Sequence, residues 1–80
     1  KFPQVLINLE VKQKPALESL STLNQLITNA KNQLQDTGKV LVRYSGTQMQ
    51  LRVMVQGQDK EQITILAQEI ADHAKKVINV

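Results

Sequence analysis

Two short apolar runs, Val40-Leu41-Val42 and Leu51 to Val55, flank a polar stretch that contains Ser45-Gly46-Thr47. Strand-like runs this close in sequence fit best as an antiparallel hairpin. With residues 46–49 at the tip, Tyr44 faces Leu51, Arg43 faces Arg52, Val42 faces Val53 and Leu41 faces Met54. Apolar residues then meet apolar residues on one face, and a slip of one position would turn that face outward. The same register sets Arg43 directly opposite Arg52, an unfavourable pairing of like charges. Either an anion or a carboxylate relieves it, or both side chains splay into water, as arginines readily do.

The flanking segments supply the rest of a small core. Val5, Ile7, Leu9 and Val11 alternate with Leu6, Asn8, Glu10 and Lys12, the period of a half-buried strand. Lys14-Pro15 interrupts it. Leu20, Leu23, Ile27, Ala30 and Leu34 form one helical stripe. Ser19, Ser21 and Thr22 are all candidate N-caps for that helix. Asp36-Thr37-Gly38 ends it, with Gly38 expected to take a left-handed conformation. After the hairpin, Asp59 is expected to cap a second helix, with Gln62 as its capping-box partner. Its stripe runs through Ile63, Leu66, Ala67, Ile70, Ala71, Ala74, Val77 and Ile78. Lys75 and Lys76 fall in the last turns, where positive charge suits the helix dipole.

Strand, helix, strand, strand, helix, with one apolar face each, predicts an α+β fold. Both helices lie on one face of an antiparallel sheet, a β-α-β-β-α core. A crossover through the first helix places the first strand beside the Leu51–Val55 strand. Leu6, Leu41 and Met54 then fall together on the opposite sheet face. They are either isolated exposed apolar residues or a surface against which other domains pack.

Eighty residues make one small core, so 1–80 is read as a single domain. Absence of cysteine removes disulfides and thiolate chemistry, and fits a reducing cytoplasm. No apolar run is long enough to span a membrane, and no signal-peptide pattern opens the chain. The start, Lys1-Phe2-Pro3, lacks methionine, which suggests a piece of something longer. Ten basic residues against seven acidic give a formal charge of +3. Nucleic acid is not the expected partner, because only Phe2 and Tyr44 are available for stacking. A lone His73 on the polar side of the last helix reads as a surface imidazole. No His, Cys, Asp or Glu cluster has metal-ligand spacing, and no paired carboxylates converge.

What remains is the hairpin tip. A guanidinium fork matches phosphate oxygens, and hydroxyls at Ser45 and Thr47 add donors. Gly46 lets successive backbone N–H groups turn toward one anion. Ser-Gly-Thr is also an ordinary turn tripeptide.

The stretch Arg43-Tyr44-Ser45-Gly46-Thr47-Gln48-Met49-Gln50-Leu51-Arg52-Val53-Met54-Val55 resembles the R-x-S-G-T-E-P-x-x-R-V-M-V signature of the α-D-phosphohexomutase C-terminal domain. The likeness is nearest to the bacterial phosphoglucosamine mutase branch. It extends to Gly57-Gln58-Asp59, Ile63, Ala67, Ile70-Ala71-Asp72 and Val77, and to the strand from Val5 to Val11. Gln48-Met49 stands where the family has Glu-Pro, which predicts a less rigid and less acidic tip.

The resemblance implies a TATA-box-binding-protein-like version of the fold and a role as the substrate-phosphate-binding C-terminal domain of a longer, cytoplasmic enzyme. That enzyme interconverts glucosamine 6-phosphate and glucosamine 1-phosphate, using magnesium and a phosphoserine carried on another domain. By the same resemblance, Arg43 clamps the phosphate, Ser45 and Thr47 donate hydroxyls, Gly46 donates its N–H, and Arg52 supports the loop. The expected partners are a phosphosugar and the parent's other domains, with no metal or catalytic group in this chain and no activity from it alone. The same domain of a phosphomannomutase or phosphoglucomutase, or a stand-alone phosphometabolite-binding module, are the alternatives.

Overall fold

A computed structural model describes residues 2–79; Lys1, and with it the first residue of the chain start discussed above, lies outside the described residues. Strand β1 (Gln4–Glu10) is followed by helix α1 (Ser21–Leu34), strands β2 (Lys39–Tyr44) and β3 (Gln50–Gln56), and helix α2 (Lys60–Ile78). The sheet order is β1-β3-β2, with both pairings antiparallel. β1 and β2 therefore run parallel on either side of β3, the split β-α-β arrangement expected of an α+β chain. The register in the hairpin is the predicted one: Tyr44 pairs with Leu51, Arg43 with Arg52, Val42 with Val53 and Leu41 with Met54.

Both helices cover the same sheet face. α2 packs over β1 and β3, α1 packs over β2, and the helices touch each other. The central strand pays the largest share of the core: Leu51, Val53 and Val55 are fully buried beneath Leu23, Ile63, Ile70 and Ile78. Each such side chain removed from water contributes about 1.5–3 kcal/mol. The edge strand β1 alternates exposed Gln4, Leu6, Asn8 and Glu10 with half-buried Val5, Ile7 and Leu9, and Val11 beyond its end is buried.

Helix ends depart from the sequence expectations. None of Ser19, Ser21 or Thr22 caps α1: Leu20 occupies that position without a side-chain hydrogen bond. A 3-10 turn, Leu17–Ser19, leads into the helix, and the Ser19 hydroxyl donates to the Ala16 carbonyl instead. Thr22 faces α2, where its Oγ1 lies 2.8 Å from His73 Nε2. His73 is therefore half-buried and ties the two helices rather than standing free in water. Asp59 does cap α2, accepting from the backbone N–H of Glu61 at 3.0 Å and of Gln62 at 3.4 Å.

At the end of α1 the positive φ falls on Gln35, at 57°, while Gly38 is extended at φ −123°. Gly38 is required for space instead. A Cβ there would lie 2.3 Å from Leu34 Cβ and 2.8 Å from its Cγ and Cδ1. The chain leaves α1 and enters β2 by passing directly against the last buried leucine of the helix.

Candidate functional site

The β2–β3 connection is held from inside and from outside. Inside, Ser45 N–H donates to the Gln50 carbonyl at 2.9 Å and closes the hairpin. The Ser45 hydroxyl oxygen accepts from the N–H of Thr47 at 3.4 Å and of Gln48 at 3.3 Å. Two successive amides thus point at one oxygen, a concave arrangement that also suits an anion. Ser45 is buried, while Gly46, Thr47 and Gln48 are exposed. Gly46 has no positive φ, and a Cβ built on it meets nothing within 4 Å. The chain does bend through residues 46–49, without a left-handed residue, and glycine leaves open space at the tip.

From outside, the segment between β1 and α1 wraps the loop. Val11 N–H donates to the Met49 carbonyl at 2.9 Å, and the Lys14 ammonium donates to the Ser45 carbonyl at 2.9 Å. The Tyr44 hydroxyl donates to the Pro15 carbonyl at 2.5 Å. These contacts restrain a tip that has Gln48-Met49 in place of a proline-containing turn. Arg52 was expected to support the loop. Among the described residues its guanidinium makes no hydrogen bond or ion pair, and the segment from Val11 to Pro15 supplies the support. An exposed lysine and a proline thirty residues upstream carried no sequence signal that they would fold against the tip.

Ser45, Gly46 and Thr47 are brought together in one turn, and Arg43 sits apart from them. Its alternation in β2 sends it to the helix-free sheet face, beside Arg52. Both are exposed. Together with Leu6, Leu41 and Met54 they line a shallow hollow of ≈ 250 Å³. The three apolar residues form a single row across the strands, since Leu6 and Leu41 both pair with Met54. A separate depression of ≈ 660 Å³ lies on the other side of the tip, lined by Asn8, Glu10, Lys12, Met49, Lys75 and Asn79 among others. It contains none of the residues expected to bind phosphate. Among the described residues no group of His, Cys, Asp or Glu is placed to hold a metal ion, and no helix is long and apolar enough to cross a membrane. The magnesium implied by the resemblance thus finds no ligand set among the described residues.

Burial raises the Tyr44 hydroxyl above its ordinary value of 10.0. The folded state therefore favours the neutral phenol, which is the form that donates to Pro15. The stability this gives is fully present below the unfolded value and is lost as pH rises through the higher folded one. Wild-type melting temperature should fall more steeply above pH 10.0 than that of Tyr44→Phe. Below that range the variant should be less stable by about 0.5–1.5 kcal/mol for the lost hydrogen bond. Lysine titration is common to both proteins, so parallel curves would mean that Tyr44 is not held as described.

The family described as "Phosphoglucomutase/phosphomannomutase, C-terminal domain" matches residues 6–73. A phosphoglucosamine mutase of Geobacter metallireducens is 46% identical over 77 residues, covering 96% of this chain and 17% of that protein. One of Methylobacillus flagellatus is 49% identical over 70 residues, covering 88% of this chain and 16% of that protein. The chain thus spans about a sixth of the length of these curated relatives. Among solved structures, an Aspergillus fumigatus N-acetylphosphoglucosamine mutase superposes with a TM-score of 0.81 over 99% of this chain and 16% of its own, at 23% identity. The same enzyme in complex with GlcNAc-6P and magnesium gives 0.65 over 96% of this chain and 16% of its own, at 18% identity. At these identities the structural likeness speaks for the fold.

Proposed function

Because the chain belongs to the phosphoglucomutase/phosphomannomutase C-terminal domain family, we propose that it is the domain of a phosphoglucosamine mutase that holds the substrate phosphate not being transferred. The observation that carries this reading is the turn at Ser45-Gly46-Thr47, where two successive amides converge on one oxygen. An incoming phosphate oxygen competes for those amides and gains the hydroxyls of Ser45 and Thr47, the N–H of Gly46 and the fork of Arg43. A guanidinium adds planar, bidentate recognition that a neutral turn lacks. For its fork to join these donors, the Arg43 side chain has to swing from the outer sheet face toward the turn, two residues along the chain.

The domain's part in the reaction is positioning. Binding energy from a non-reacting phosphate orients the reacting end of the sugar. In the parent enzyme the chemistry belongs to a phosphoserine and a magnesium ion on another domain. This chain contributes no nucleophile, so alone it should give no turnover of glucosamine 6-phosphate in a coupled assay. The whole-chain likeness to phosphoglucosamine mutases favours the amino sugar over mannose or glucose phosphates. The family's description as a C-terminal domain supports reading it as part of a multidomain enzyme rather than a stand-alone module.

The test is an amide-shift titration of the 80-residue chain with glucosamine 6-phosphate and, in parallel, with unphosphorylated glucosamine. Only the phosphate should shift residues 45–48 first, with a dissociation constant of about a millimolar, because one phosphate offsets little association entropy. Largest shifts on α2, or equal responses to both sugars, would place the site elsewhere.

A further inference from the structure

We propose that Lys14 is a positioning residue of the phosphate loop: its ammonium holds the Ser45 carbonyl and so turns the Gly46 N–H toward the bound anion. This rests on the reading of residues 45–47 as the phosphate seat.

The geometry begins with the Ser45–Gly46 peptide. That peptide is trans, so the Ser45 carbonyl and the Gly46 N–H lie in one rigid plane and point in opposite directions. Whatever fixes the carbonyl fixes the donor. Gly46 cannot do this itself, since glycine leaves its flanking torsions free. It is exposed, with open space where a Cβ would stand. Ser45 has already committed its N–H to Gln50 and its hydroxyl oxygen to the amides of Thr47 and Gln48. Its carbonyl is the remaining handle, and Lys14 Nζ takes it at 2.9 Å.

Lys14 sits on a segment anchored at both ends. Asn79 Oδ1 accepts from Lys12 N–H at 2.8 Å, Asn79 Nδ2 donates to the Glu10 carbonyl at 3.3 Å, and Gln13 Nε2 donates to the Ile78 carbonyl at 2.7 Å. On the other side, the Pro15 carbonyl accepts from Tyr44. The lysine backbone is therefore in place before its side chain reaches the loop, which lowers the entropy cost of the contact. A cation on the carbonyl also polarises the amide and strengthens the N–H as a donor.

The test uses the isotope-labelled 80-residue chain, with Lys14→Met and Lys14→Arg, followed without ligand and through an inorganic phosphate titration. Lys14 itself is exposed but its bond to Ser45 is part-buried, so both variants should stay folded, with Lys14→Met melting slightly below the wild type and Lys14→Arg close to it. Without ligand, the Gly46 amide resonance should move in Lys14→Met and return most of the way in Lys14→Arg, which restores a charged donor. Phosphate affinity should fall about threefold to tenfold in Lys14→Met, the range of one ordinary hydrogen bond, since the donor is misaligned rather than a charged phosphate contact removed. The Arg43 response should persist. If affinity falls while the Gly46 resonance stays put, Lys14 acts by charge alone and the positioning role is overturned; an unchanged affinity and resonance overturn it as well. If phosphate leaves residues 45–48 of the wild type unmoved, the phosphate seat is what fails. The positioning role is then decided by the ligand-free Gly46 resonance, whose failure to move in Lys14→Met refutes it.

Discussion

Arg43→Ala should weaken binding of a sugar phosphate about tenfold to a hundredfold, the loss of a charge-assisted, bidentate contact. Its melting temperature should hardly change. The side chain is exposed and makes no hydrogen bond or ion pair among the described residues. Removing it also relieves the like-charge contact with Arg52, its partner across the strands. Inside a full-length parent the same change should lower kcat/KM by a comparable factor. Arg43→Lys should recover only part of the loss, because a point charge cannot reproduce a planar fork. Arg52→Ala should leave both loop order and phosphate affinity nearly intact, since Val11, Lys14 and Tyr44 carry the contacts that restrain the tip. Titration of both alanine variants decides the assignment: loss of binding in Arg52→Ala with retention in Arg43→Ala would reverse the two roles.

The largest effect on stability should come from Gly38→Ala. The added methyl would stand 2.3 Å from Leu34 Cβ, closer than any relaxed carbon pair. That atom belongs to a helix anchored in the core, and Leu34 is only 4% exposed, so it cannot swing aside. Overpacking of this kind costs about 1–3 kcal/mol. A domain of this size has only about 3–5 kcal/mol of core-derived stability in hand. Melting temperature should drop by about 4–8 °C for each kcal/mol lost. Gly46→Ala is the control: its Cβ enters open space, and the fold should not register it. Equal melting temperatures for wild type and Gly38→Ala would mean that α1 and β2 meet differently.

Most of the core was legible because its periods are unambiguous. Alternation in Leu41-Val42-Arg43-Tyr44 and Leu51-Arg52-Val53-Met54 excludes a one-residue slip, and the register expected with residues 46–49 at the tip forms. The α2 stripe from Ile63 to Ile78 is buried at every expected position except Val77, which is half-buried. Local signals failed where long-range packing decides. Leu20 rather than a hydroxyl residue begins α1, because Ser19 bonds back to Ala16 and Thr22 turns to His73. Gly38 looked like a helix stop of the left-handed kind, but it serves close approach to Leu34. At the site, the residue types around Ser45-Gly46-Thr47 were readable, whereas the tether through Lys14 was not. An exposed lysine beside a proline looks like any solvated loop until the fold brings it to Ser45. Strand alternation already set Arg43 beside Arg52, as the structure has it; only the phosphate-cup reading and the family resemblance grouped Arg43 with the turn.

Two concavities therefore compete for the phosphate, and its location tests the account most directly. Crystals of the 80-residue chain soaked with glucosamine 6-phosphate should show the phosphorus over the tip, within hydrogen-bond reach of Gly46 N–H, Ser45, Thr47 and the Arg43 guanidinium. Phosphate seated instead in the hollow between Arg43 and Arg52, against Leu6, Leu41 and Met54 and away from the turn, would contradict it.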